Sequence, residues 1–240
     1  MAFNKTAIGV IPARLHSTRF PRKILADING KPMVIHTAQQ AAKATLLERI
    51  IIAIDDIETY AILEDFNFEL VMTSKQHLSG TDRIAEAVNK LSDAEIIINI
   101  QADEPFVDPK AIDSLVESFN QPGVHISTLV NKHITKEILK DKNVVKAILD
   151  DNHWAVDFKR ILETNAPNEP IYKHMGIYGY TQDALMKFVS IPQSEREKQR
   201  NLEQMRALDN NIQIKAVITE LDSFSIDTEE DYYAAKRAFT

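Results

Sequence analysis

Short apolar runs alternate with polar, helix-periodic segments through the first half of the chain. Ala7-Ile8-Gly9-Val10-Ile11 is a continuous apolar run of strand length, and Arg49 to Ile54, Phe68 to Met72 and Glu95 to Gln101 read as further, near-continuously apolar strands. Between them the apolar positions recur at helical spacing. Pro32 suits the first position of a helix running to about Thr45. Ile57, Tyr60, Ala61 and Leu63 form one side of a short helix, and Ile84, Ala87, Val88 and Leu91 one side of a longer one. Pro109 opens the next. The order β-α-β-α-β-α-β predicts a parallel sheet with right-handed crossovers. Strands this uniformly apolar suit a sheet covered by helices on both faces.

The second half has a different pattern. Short strands at about 124–130, 144–149 and 154–158 are separated by turns such as Leu149-Asp150-Asp151-Asn152. A loop rich in proline and asparagine, Asn165 to Pro170, precedes the aromatic, strand-like run His174 to Tyr180. Ser194-Glu195-Arg196-Glu197 reads as a capping box opening a polar helix to about Leu208. Ile212 to Thr219 is a further strand, and Ile226 to Asp231 leads into a last helix. The expected organisation is one domain over residues 1–240, carrying a small mixed-sheet arm at about 124–190.

Composition limits the possible partners. A formal charge of -7 and a pI near 5.5 argue against a broad nucleic-acid-binding surface. No apolar run is long enough to span a bilayer, so no membrane partner is expected and the cytoplasm is the default location. With no cysteine, a metal must be oxygen-bound or held by histidine.

Against that acidic background, Pro12 to Lys23 holds four cations, Arg14, Arg19, Arg22 and Lys23, and no acid. This loop follows the first strand, where an open α/β sheet receives an anionic ligand. It is either a polyphosphate site or a solvated basic surface loop. Ser79-Gly80-Thr81, Asp103 and Asp227 also follow expected strands, so all four could converge on one sheet edge. A carboxylate at Asp103 is suited to Mg²⁺ beside a nucleoside triphosphate, or to a turn. Asp227 is suited to a metal or to the start of a helix, since Thr228 and Asp231 can form a capping box. Gly80, one of only 6 glycines, marks a tight turn or a close backbone approach.

Several of these segments carry a resemblance. Ile-Pro-Ala-Arg-x-x-Ser-Thr-Arg-Phe-Pro-x-Lys from Ile11, Ile28-Asn29-Gly30-Lys31-Pro32-Met33, and Ser79-Gly80-Thr81-Asp82-Arg83 are similar to the 3-deoxy-manno-octulosonate (Kdo) cytidylyltransferases, or CMP-Kdo synthetases. So are Gln101-x-Asp103-Glu104-Pro105, His174-x-Gly176-Ile177-Tyr178-Gly179-Tyr180, Leu202-Glu203-Gln204-x-Arg206 and Asp227-Thr228-x-Glu230-Asp231. The segments run in family order along almost the whole chain.

The resemblance implies a Rossmann-like nucleotidyltransferase fold, a homodimer and Mg²⁺. It also implies the reaction of CTP with Kdo to give CMP-Kdo and pyrophosphate for lipopolysaccharide synthesis. By position it implies that Arg14 and Lys23 bind the triphosphate and, with Asp103, serve catalysis. Pro12, Ala13, Ser79, Gly80 and Arg83 complete the nucleotide set, and Asp103 and Asp227 are the metal ligands. Gln101, Arg160, His174, Tyr178, Glu203 and Gln204 form the sugar-binding set.

The sequence departs from the family pattern at four places. Arg22 and Ala102 stand where the family usually has glycine, Asp157-Phe158-Lys159-Arg160 replaces Tyr-Phe-Ser-Arg, and Arg200 replaces a glutamate. Helical spacing expects Arg200 on the same face as Glu203 and Gln204, free to pair with Glu203. The alternatives are a transferase for a related sugar acid such as 8-amino-Kdo, and a catalytically silent nucleotide-binding homologue.

Overall fold

The computed structural model describes residues 5–17, 20–91, 94–162, 170–221 and 224–238. Thr18 and Arg19 of the basic loop, and residues 165–169 of the proline- and asparagine-rich loop, lie outside the described residues. The chain divides into two compact units, residues 1–113 with 223–240, and residues 114–222. The arm expected at about 124–190 falls inside the second.

In the first unit, β1 (Ala7–Ala13) leads into a basic loop and a small hairpin of β2 (Asp27–Ile28) and β3 (Lys31–Pro32). Gly30, at φ 82°, makes the turn between them, a conformation that favours glycine. Then come α1 (Met33–Ala41), β4 (Ile50–Ile54), α2 (Ile57–Leu63), β5 (Glu69–Met72), α3 (Gly80–Leu91), β6 (Ile96–Asn99) and α4 (Pro109–Glu117). β1 pairs in parallel with β4 on one side and β6 on the other, and β5 pairs with β4. The register sets Ala13 beside Ile54 and Val10 beside Asn99, so the loops after these strands leave from one sheet edge. β4 is buried along its whole length and so is β6, as expected for a sheet covered on both faces.

α1 is shorter than the sequence pattern suggests. Pro32 precedes the helix and Ala41 ends it. The Asp113 carboxylate accepts the backbone N–H groups of Thr45 (3.0 Å) and Leu46 (2.9 Å). Those donors are satisfied without a further turn of helix.

The chain returns to the first unit through Ile226 and the C-terminal helix Glu229–Ala238. Ile226 buries with Ile28, Met33 and Ala235, and Phe20, Phe106 and Tyr232 pack around them. This cluster carries the basic loop and the C-terminal segment together. The Tyr232 hydroxyl donates to the Asp27 carbonyl at 2.5 Å, and the Phe20 and Tyr232 rings meet edge to face at 5.6 Å.

The second unit contains β7 (Ile126–Asn131), α5 (Lys136–Lys140), β8 (Lys146–Leu149), β9 (Ala155–Lys159), β10 (Ile171–Thr181), α6 (Gln182–Ser190), α7 (Glu195–Arg200), α8 (Met205–Asp209) and β11 (Lys215–Thr219). Its pairing is mixed: β10 is antiparallel to β7 and β8, β8 is antiparallel to β9, and β11 is parallel to β7. The β10 register shifts between Met175 and Tyr178, so Gly176 sits in a bulge.

The polar helix expected from Ser194 to Leu208 is two short helices. Ser194 and Glu197 form the capping box, but Asn201 turns left-handed at φ 52° and ends α7. The Arg160 guanidinium donates to the carbonyls of Arg200 (3.2 Å) and Asn201 (3.1 Å). A side chain from elsewhere in the unit thus satisfies the helix end and lets the chain turn. Among the described residues no helix is long and apolar enough to cross a membrane.

Candidate active site

At the carboxyl edge of the first unit's sheet lies a cleft of about 350 Å³. Pro12, Arg14, Ser17, Lys23, Ser79, Gly80, Arg83, Gln101, Asp103 and Asp227 all line it, with Ile24, His77, Leu78 and Ala102. The basic loop reaches it because its backbone is anchored. The Asp55 carboxylate, just past β4, accepts the Leu15 N–H at 2.9 Å. Arg83 is buried and donates to Asp55 at 3.0 Å and to the Thr73 hydroxyl at 2.6 Å. Burial lowers the Arg83 pKa and the Asp55 charge opposes that shift. Arg83 therefore braces the carboxylate that holds the loop.

α3 starts against the end of β1. A Cβ at Gly80 would lie 3.2 Å from Pro12 Cγ, so a side chain there would push the two apart. The Ser79 hydroxyl accepts the Asp82 N–H at 3.1 Å, while Asp82 accepts the Ser79 N–H at 3.2 Å. Ser79 is thus an N-cap as well as a lining residue. His77 pairs with Glu86, which also accepts the Ser74 N–H at 2.9 Å and pairs with Lys90 at 2.7 Å. Burial opposes ionisation of Glu86, but the bonds from Lys90, Ser74 and His77 outweigh it and hold the pKa at about 2.

Lys23 sits on the short 3-10 turn Lys23–Leu25, and its ammonium lies between two carboxylates. It is 2.6 Å from Asp103 Oδ2 and 3.4 Å from Asp227 Oδ1. The Ile226 N–H donates to the Asp103 carbonyl at 2.9 Å, which brings the two acids side by side. The helix-start role open to Asp227 is filled by others. The Thr228 hydroxyl accepts the Asp231 N–H at 3.2 Å, and Asp231 accepts the N–H groups of Asp227 (3.0 Å) and Thr228 (2.9 Å). Two adjacent carboxylates at the mouth of a cation-lined cleft suit Mg²⁺, which takes one or two carboxylates plus phosphate oxygens and water.

The second unit has a smaller cavity, of about 40 Å³, lined by Ile126, Tyr178, Tyr180, Phe188, Glu203, Gln204, Ala207 and Ile214. Gln204 is 8% exposed, and its Nε2 has no hydrogen-bond partner among the described residues. Burial raises the Tyr178 pKa well above its ordinary value, so the phenol stays neutral. His174 stands behind it, with ring centres 5.4 Å from Tyr178 and 5.1 Å from Phe158. His174 Nε2 lies 3.1 Å from the Thr128 hydroxyl, which donates to the Ile177 carbonyl at 2.9 Å. Nε2 is therefore the protonated nitrogen of a neutral ring, and burial lowers its pKa to about 3.

The six residues expected around a sugar thus divide three ways. Gln101 lines the larger cleft; Tyr178, Glu203 and Gln204 line the smaller cavity; His174 and Arg160 line neither. All three donor groups of the Arg160 guanidinium are directed to carbonyls, those of Arg200, Asn201 and Lys142 (3.3 Å).

Residues 8–214 match the cytidylyltransferase family model. A 3-deoxy-manno-octulosonate cytidylyltransferase of Thermodesulfovibrio yellowstonii is 39% identical, over 96% of both chains. The chain belongs to the 3-deoxy-manno-octulosonate cytidylyltransferase family. An 8-amino-3,8-dideoxy-manno-octulosonate cytidylyltransferase of Shewanella baltica is 40% identical over 92% of this chain and 94% of that one. A solved structure of CMP:2-keto-3-deoxy-manno-octonic acid synthetase complexed with CTP superposes with a TM-score of 0.90 at 30% identity, covering 97% of this chain and 98% of that one.

Within this cytidylyltransferase the structure explains two of the departures from the family pattern, Asp157 and Arg200; for the alanine at 102 it gives no reason. Arg22 is left-handed at φ 58°, the conformation glycine adopts most readily, and its side chain pairs with Glu58. The Ala102 carbonyl accepts the Thr37 hydroxyl at 3.1 Å. Arg200 does not pair with Glu203, because the helix breaks between them. It binds Asp157 at 2.5 Å and the Phe158 carbonyl at 2.8 Å, so two departures form one ion pair. Glu203 lies 3.6 Å from Arg206, which is buried against Glu197 at 2.6 Å.

Asp55 and His77 were not singled out by sequence reasoning. The available signal for Asp55 was its place at a strand end on the same edge as the basic loop. His77 lies in the strand-to-helix exit that contains Gly80.

Proposed function

We propose that this protein transfers CMP from CTP to the anomeric hydroxyl of Kdo in a Mg²⁺-dependent reaction, releasing pyrophosphate. The observation that carries the reading is the convergence of Lys23, Asp103 and Asp227 in one cleft with Arg14, Ser79 and Gly80. The names of the relatives support CTP as the nucleotide and a Kdo-type sugar acid as the acceptor.

Asp103 and Asp227 would hold Mg²⁺, which when bound supplies charge neutralisation on the triphosphate. Arg14 and Lys23 bind the phosphate oxygens as fixed and flexible cations respectively. Arg83, through Asp55, keeps the loop carrying Arg14 in place. Gln204 and Tyr178 offer donors to sugar hydroxyls in a cavity where neither needs to change charge. The anomeric hydroxyl attacks the α-phosphorus in line and pyrophosphate leaves; the protein positions and neutralises, and no covalent nucleophile is required. A cytoplasmic homodimer serving lipopolysaccharide synthesis completes the reading.

Pyrophosphate release, measured with CTP and Mg²⁺ against Kdo, 8-amino-Kdo and sialic acid, tests it. Release with Kdo above the other acids is the expected result. Preference for 8-amino-Kdo would instead make this chain the functional counterpart of the Shewanella relative. No release with any acid would leave a nucleotide-binding homologue.

A further inference from the structure

The ammonium of Lys23 lies where a cation bound to both carboxylates would lie. Its side chain is only 11% exposed, against 25% for Asp103 and 39% for Asp227. The backbone of Lys23 is fixed: its N–H donates to the Phe20 carbonyl at 3.2 Å, and its carbonyl accepts the Ala26 N–H at 3.0 Å. The two acids are also held by backbone, through Ile226 and Asp103. That bond keeps the two acids near one another, and a positive charge between them offsets their repulsion.

Mg²⁺ binds carboxylate oxygens at about 2.0–2.1 Å and tolerates little distortion. An ammonium 2.6 Å from Asp103 Oδ2 occupies the same approach. Lysine and metal therefore exclude one another at that oxygen. Lysine can leave because its charge sits on a flexible four-carbon stem, and it needs a new anionic partner when it does. The same cleft is lined by Arg14, Ser79 and Gly80, where a triphosphate would provide that partner.

We propose that Lys23 occupies the place of the metal between Asp103 and Asp227 until nucleotide arrives, so that metal competes with Lys23 and binds weakly until the triphosphate draws the ammonium away. This rests on the metal-dependent reading given above. It makes Lys23 a gate on metal entry as well as a phosphate ligand. The coupling is reciprocal: a metal that displaces Lys23 frees it for the nucleotide, and a nucleotide that captures Lys23 opens the metal site.

The test is metal binding alone, with Mn²⁺ as the probe and no nucleotide present, followed by electron paramagnetic resonance. Wild type, Lys23→Gln, Lys23→Arg and Lys23→Gln/Asp227→Asn are compared after circular dichroism has established folding. Removing one positive charge a few ångströms from a divalent ion is expected to tighten Mn²⁺ binding by about tenfold or more. Lys23→Arg should stay near wild type, and the double variant should lose the gain. Equal or weaker Mn²⁺ affinity in Lys23→Gln overturns the proposal, as does a gain that survives Asp227→Asn.

A measurement on wild type does not depend on any variant folding. Amine acylation of Lys23, quantified by peptide mass spectrometry, should rise several-fold when Mn²⁺ is added, because the displaced ammonium becomes accessible. Unchanged labelling at saturating Mn²⁺ contradicts displacement. Failure of the pyrophosphate assay with a positive Mn²⁺ result would remove the proposed reaction and leave the gate; the reverse pattern would remove the gate alone.

Discussion

Asp227 and Thr228 are neighbours with separable roles. Thr228 caps the C-terminal helix together with Asp231, while the Asp227 carboxylate faces Lys23. Thr228→Ala should therefore cost about 1 kcal/mol of stability and leave turnover near normal. Asp227→Asn and Asp103→Asn should each lower kcat by about 10²-fold or more with little change in melting temperature. Rate and Tm measured on the same three variants check the division. Arg22 gives a second residue-scale prediction. Its left-handed backbone costs an L-residue about 1–2 kcal/mol, and its exposed pair with Glu58 returns little. Arg22→Gly should hold or slightly raise the Tm, whereas Arg22→Val should lower it, by denaturant unfolding as well as by heat. His174 gives a third. In the unfolded chain its pKa is near 6.5 and in the fold burial lowers it to about 3. The unfolded state thus takes up a proton that the folded state refuses, so the stability contributed by the neutral ring is complete above about pH 6.5 and is lost as pH falls toward 3. His174→Gln should flatten the pH dependence of stability in that window, read as Tm against pH.

At the scale of elements, the break between α7 and α8 is the feature that most changes the surroundings of Glu203 and Gln204, two of the residues proposed to meet the sugar. An unbroken helix would set Arg200 beside Glu203. The turn at Asn201 instead directs Arg200 to Asp157 on β9 and leaves Glu203 and Gln204 on the connection between the helices. The Asp157–Arg200 pair, with Arg160 on the carbonyls of residues 200 and 201, ties β9 to that connection. Arg200→Asp is expected to raise the KM for the sugar several-fold while the KM for CTP moves little. The charge-swapped double variant Asp157→Arg/Arg200→Asp should recover most of the loss. Equal changes in both KM values would mean that the pair serves stability only. The break was not legible in the sequence for a physical reason. Ser194 and Glu197 announce the helix start plainly, but the stop depends on an asparagine turning left-handed and on a guanidinium arriving from some 40 residues away. The early end of α1 has the same kind of cause, since the Asp113 carboxylate lies far along the chain from the N–H groups it accepts.

For the molecule as a whole, local signals served well wherever the structure is made by local rules. The expected strands became β1, β4, β5 and β6; β4 and β6 are apolar because they are buried on both faces, while β5 is buried only at Val71. The residues of the larger cleft were legible because parallel strands deliver their following loops to a common edge. The division of the proposed sugar-binding residues between two cavities, with Arg160 and His174 in neither, was not, because it depends on side-chain direction after the bulge in β10 and the turn after α7. One long-range arrangement has a consequence in time rather than in space. The first unit's sheet is encoded by residue 99, yet the carboxylate at 227 and the buried cluster around Ile226 reach it only after the whole second unit has been synthesised. A chain that stops short of residue 226 would therefore have the four strands of that sheet but neither the Asp227 carboxylate nor the packing of Ile226 on Ile28 and Met33. Under the reaction proposed above, such a shortened chain should release no pyrophosphate from CTP.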